Sequence, residues 1–108
     1  MKVKIPKQIK IGVHTYTISF NPYLLGDSRR HGEANHRKET IDIQSDNPDN
    51  LKLETLIHEI IHIAEFYYRV DISDPDIDRI AEVITEFIVD NLGIEFDWGD
   101  INGTHNNG

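Results

Sequence analysis

The sequence predicts an α+β fold, with a small antiparallel or mixed sheet in the N-terminal half followed by two antiparallel helices. Three observations predict it. Apolar residues alternate from Val3 to Phe20 and again at Ile41 and Ile43, the period-two mark of strands with one buried face. From about Asn50 onward the spacing changes to apolar residues three and four apart, in two long runs, which is the mark of amphipathic helices. Only "RVDISD" separates those runs, enough for a tight helical hairpin.

Val3, Ile5, Ile9, Ile11, Val13, Tyr16, Ile18 and Phe20, punctuated by Pro6 and Gly12, give two or three short antiparallel strands. "NPYLLGDSRRHG" has the Pro, Gly, Asp and Ser density of a long loop. "GEANHRKETIDIQS" is predicted to be a hairpin with a charged tip at His36 to Glu39. "DNPDN" then breaks the chain before a helix from about Asn50 to Tyr68. The second helix is expected from about Pro75 to Leu92, with Asp74 as N-cap, Pro75 at its first position and Gly93 as its stop. "WGDINGTHNNG" has little to bury, so residues 1–97 are expected to form the single domain and 98–108 a flexible tail.

Composition narrows the function classes. A chain of 108 residues can bury a modest core without covalent staples, and it contains no cysteine, so thiolate metal sites are excluded and any metal must be held by imidazole and carboxylate. Eleven basic against 19 acidic residues leave a net charge of −8, which argues against nucleic acid as a partner. "RRH" at Arg29 to His31 is read as a solvated loop. No apolar run approaches bilayer length and the N-terminus has no signal-peptide core, so no membrane association and a cytoplasmic location are expected.

Chemistry concentrates in "LIHEIIHIAEF". His58 and His62 are four residues apart, so on a helix both rings lie on one face within reach of one ion. With Glu59 between them they match the H-E-x-x-H pattern of zinc peptidases. At about 100° per residue, Leu53, Leu56, Ile57, Ile60, Ala64 and Tyr67 share one side while both histidines point away from it. Glu59 lies about 80° from the mean histidine direction, suited to a base that does not itself ligate. The third ligand is sought on the second helix: a hairpin brings Glu82 to about the height of the histidines, Asp78 lies one turn earlier, and Asp74 serves if the helices splay. Glu86 is a further candidate for orienting a histidine, and Glu65 reads as a surface acid beside His62. His14, His31, Tyr67 and Tyr68 are the available oxyanion donors, each more simply structural or exposed. A strand ending near Ser45 is expected to offer its edge to an extended peptide.

"HEIIH" followed by "RIAEVITEFIVDN" resembles the thermolysin-like gluzincins, where His58, His62 and Glu82 would match the ligands and Glu59 the base. "GEANHRKETIDIQSD" before "ETLIHEIIH", with a second helix ending "DN", resembles the small ImmA/IrrE-like and phage-encoded metallopeptidases over most of residues 10–92. Aligned on those "DN" ends, Asp78 takes the third-ligand position. The resemblance implies a minimal zincin fold, a Zn2+ ion and hydrolysis of peptide bonds in a protein or peptide substrate. Two other readings stand beside it: a catalytically inactive, metal-stabilised interaction module of a phage or bacterium, and an acidic domain with surface histidines and no metal.

Overall fold

The computed structural model describes residues 1–103, and its chain is α+β, as the change of apolar period predicts. Strands β1 (Lys2–Lys4), β2 (Gln8–Ile11) and β3 (His14–Phe20) precede a short helix α1 (Leu24–Ser28). The hairpin β4 (Gly32–Asn35) and β5 (Thr40–Ile43) leads into helices α2 (Asp49–Tyr68) and α3 (Asp74–Glu86). Two further strands, β6 (Glu95–Asp97) and β7 (Asn102–Gly103), follow. Among the described residues no helix is long and apolar enough to cross a membrane.

The main sheet runs β2-β3-β5-β4, with β7 also on β3. β2 and β4 lie antiparallel to their neighbours, whereas β3 and β5 are parallel. Alternation along β3 and β5 turns Tyr16, Ile18, Ile41 and Ile43 inward. Against them α2 sets Leu53, Leu56 and Ile63, a stripe at helical spacing. Gly12 opens the two-residue turn between β2 and β3 with a φ of 62°, a conformation that costs glycine no side-chain clash; Val13 at that tip is exposed rather than inward.

β1 does not join β2 and β3 as an antiparallel neighbour. It pairs in parallel with β6, Val3 opposite Phe96. Pro6 supplies no backbone donor and ends that run, while the Ile5 N–H reaches the Asp97 carbonyl at 2.9 Å.

The tail expected from residue 98 is not loose over its first six residues. Trp98 and Ile101 are buried in the main core, and β7 pairs with Ser19 and Phe20 of β3. Local composition concealed this, because one indole and one isoleucine supply the burial within an otherwise Gly- and Asn-rich stretch. Residues 104–108 of the expected tail lie outside the described residues.

The helix boundaries also shift. Ser73, not Asp74, caps α3, its Oγ accepting from the Asp76 N–H; a hydroxyl in extended backbone meets the same need one residue earlier. Asp74 therefore stands in the first turn with its carboxylate released from capping. The regular helix ends at Glu86 and continues as a π-helical turn, Phe87–Asn91, before Gly93 at φ 65° stops it.

Gly32 governs how closely the sheet edge approaches α2. A Cβ there would overlap the Thr55 methyl and stand 3.4 Å from Glu59 Cγ. Gly32→Ala is expected to push β4 off the helix and destabilise by about 1–3 kcal/mol. Thr55→Ser removes the obstructing methyl but keeps the hydroxyl bond to the Leu51 carbonyl, so the double variant should recover much of the loss in a denaturant titration.

Candidate metal centre

A cleft of about 1080 Å³ lies over α2, walled on one side by β4 and the segment before it and on the other by α3. His58, Glu59 and His62 all line it. The two histidines sit on the flank of α2 beside the apolar stripe, half-buried, with 21% and 30% of their side-chain surfaces exposed.

Each ring has a carboxylate against its Nδ1. His58 Nδ1 lies 2.7 Å from Asp78 Oδ1, and His62 Nδ1 lies 3.0 Å from Glu65 Oε1. An ionised carboxylate can only accept a hydrogen bond, so the bond to Glu65 puts that ring's hydrogen on His62 Nδ1, while Asp78 makes a close ion-pair contact with His58 Nδ1. A neutral ring so arranged turns its Nε2 lone pair outward. The two Nε2 atoms meet 3.0 Å apart, and lone pairs at that separation repel unless a cation, either a proton or a metal ion, lies between them. Two imidazoles on one tetrahedral zinc would place their nitrogens about 3.3 Å apart, from Zn–N bonds of about 2.0 Å.

The acids of α3 divide by position. Contacts of Asp78 with His58 and of Asp74 with His62 show that α2 and α3 run antiparallel. Asp74 Oδ1 is 3.6 Å from His62 Nε2 on a largely exposed side chain. Asp78, expected as a possible ligand, instead holds the ring nitrogen that faces away from the pair. Glu82 lines the cleft one turn further on, level with Glu54 rather than with the histidines. There it leads Glu86 and Asp78 among the charges that, after burial, push the Glu54 carboxyl up. The short connection sets this register, placing Asp74 opposite His62 and every later acid correspondingly further along. Among the described residues, no three histidine or acidic side chains stand together as a ready-made ligand set.

Glu59 is 7% exposed, beneath Gly32. Burial pushes its carboxyl above the ordinary range, opposed by His58, His62 and Arg30 and aided by Glu33. Glu65 accepts from both the Ile72 N–H and His62; the backbone bond does most to hold its carboxyl below the ordinary range.

Three contributors were not visible in the local sequence pattern. Arg29 and Arg30, read as part of a solvated loop, line the cleft instead. His36 does so as well, although its place in a charged hairpin tip suggested only a turn. Of the possible donors considered earlier, His31 also lines the cleft, while His14 and Tyr67 stack on each other with ring centroids 4.1 Å apart and Tyr68 is exposed. Nor does the strand before α2 offer an edge: β5 is paired on both sides and β4 is the outer strand.

No protein-family model, curated protein or solved structure matches the chain. Fold and site together therefore define a class by construction: a small α+β domain whose cleft floor carries two carboxylate-anchored histidines and a buried glutamate.

Proposed function

We propose that the chain is a zinc-dependent peptidase acting on extended segments of protein substrates. The convergence of two Nε2 atoms at 3.0 Å, each ring with a carboxylate against its Nδ1, carries this reading. The donors suit zinc: imidazole nitrogens, carboxylates within a side-chain rotation, and no thiolate. His58 and His62 would hold the ion, with Asp74 the nearest third ligand and Glu82 the alternative. Asp78 and Glu65 serve to orient the rings.

Bound there, zinc supplies Lewis acidity, lowering the pKa of a water to about 7 and polarising a carbonyl. Glu59, desolvated and so more basic than a surface carboxylate, takes the proton of the attacking water and delivers it to the leaving amine nitrogen. The free edge of β4 runs along the cleft with Gly32 and Ala34 in its wall. A peptide added there as a further strand would lie over the histidines.

The test combines elemental mass spectrometry with cleavage of unfolded casein. A single zinc per chain and zinc-dependent cleavage are expected. No metal retained after zinc reconstitution would leave a shared proton between the histidines and overturn the proposal. Bound zinc with no cleavage of any protein or peptide would favour the metal-stabilised interaction module. Asp78→Asn should weaken zinc binding about 10–100-fold without unfolding the chain. Asp74→Ala should weaken it more than Glu82→Ala, as read by competition with a chromogenic chelator.

A further inference from the structure

At the end of the cleft near the C-terminal part of α2, His36 belongs to a hydrogen-bonded chain that the proposed hydrolysis does not use. The Tyr16 hydroxyl lies 2.9 Å from His36 Nδ1 and 2.9 Å from the Tyr67 hydroxyl. The His36 ring stacks on Phe66 with centroids 4.1 Å apart and planes 11° from parallel. Tyr16 itself is fully buried, so this arrangement is built into the core rather than resting on the surface. Nε2 of His36 makes no hydrogen bond to any described residue, and the side chain lines the cleft.

Two directions give the buried Tyr16 hydroxyl both a donor and an acceptor. Either Tyr16 donates to Nδ1 and accepts from Tyr67, or His36 donates through Nδ1 and Tyr16 passes a hydrogen to Tyr67. A phenol is far more acidic than a neutral imidazole N–H, and an imidazole nitrogen is a far better acceptor than a phenolic oxygen. The direction from Tyr67 through Tyr16 to Nδ1 therefore prevails, and the hydrogen of His36 resides on Nε2. Burial above all pushes the Tyr16 hydroxyl well above its ordinary range, so it keeps its hydrogen. Burial, followed by His62, holds His36 below the usual imidazole range and favours the neutral ring.

His36 directly follows Asn35, the last residue of β4. We infer that His36, locked by Tyr16 as its Nε2–H form, is a substrate-positioning residue that donates a hydrogen bond to a backbone carbonyl oxygen of a peptide laid along β4. It extends the donor row of that edge one position past the strand. This inference rests on the peptidase reading and adds a residue to it.

Long-range 15N–1H spectra of the histidine rings in the zinc-loaded full chain test it, with benzyloxycarbonyl-glycyl-leucyl hydroxamate as the probe. His36 is expected to show a protonated Nε2 and a bare Nδ1, and Tyr16→Phe should lose that preference. Adding the hydroxamate should move the Nε2–H proton downfield. His36→Phe, which keeps the stack on Phe66, should weaken probe binding about tenfold, the scale of one lost hydrogen bond, and His36→Gln, which retains a donor, should recover part of it. A hydrogen on Nδ1 in the wild type, or unchanged probe affinity in His36→Phe, overturns the inference while leaving the peptidase reading intact. Zinc content is read on the same samples; a chain that binds no zinc sinks the peptidase reading and this inference with it.

Discussion

Glu59→Gln is expected to lower peptide hydrolysis by about 10²–10⁴-fold, the range for removing a positioned general base, while leaving zinc content unchanged. Glutamine has nearly the same shape and fits the space beneath Gly32, so the loss would belong to proton transfer rather than to folding. The same variant carries a second expectation for the metal-free protein. Because burial raises the Glu59 carboxyl in the folded chain, the folded state holds that proton to higher pH than the unfolded state does. Stability conferred by this group therefore falls as pH rises from the ordinary carboxylate value through the raised folded one. Glu59→Gln should remove that slope and melt at higher temperature than the wild type above the window. Thermal melts across pH with chelator present check it, and an unchanged slope would mean that burial does not govern this carboxyl.

Trp98→Ala is expected to cost about 3–5 kcal/mol, the range for truncating a buried aromatic. Trp98 is only 8% exposed and packs on Phe20 with ring centroids 5.9 Å apart, at the point where β7 joins β3. Ile101 is held beside it by a bond from its N–H to the Trp98 carbonyl. The indole Nε1 is buried without a partner among the described residues, so Trp98→Phe, which removes an unsatisfied donor along with some volume, should cost much less. Urea titration of the two variants separates these effects. Equal losses would show that the N–H, not the ring volume, matters there, and no loss in Trp98→Ala would return this segment to the flexible tail its composition suggests.

These positions show what the sequence could disclose. The helix bearing His58, Glu59 and His62 was legible because twenty residues without Gly or Pro carry a continuous apolar period. The β4–β5 hairpin was legible from alternation alone. Features depending on distant chain were not: the parallel pairing of β1 with β6 joins the two ends of the described chain, and Trp98 owes its burial to Phe20. The third acid was ambiguous for a different reason. Asp74, Asp78 and Glu82 repeat every four residues on one face of α3, so any of them could be brought to the histidines until the path of the connection fixed the register. Asp74 was further disguised as a cap, a task that Ser73 performs. His36 gave no signal at all, since its significance comes from Tyr16 and Phe66, which lie twenty and thirty residues away.

Glu65 has a consequence that reaches beyond the orientation of one ring. One carboxylate oxygen takes the hydrogen of His62, and the other takes the Ile72 N–H in the bend between α2 and α3. The elbow of the helical hairpin and the imidazole are thus tethered to a single side chain. An outward swing of α3 at this bend would pull on Glu65 and, through it, on His62. In the proposed zinc-loaded chain, loss of the ion and opening of the elbow would then be linked, and occupancy of the histidine pair would report whether the hairpin is shut.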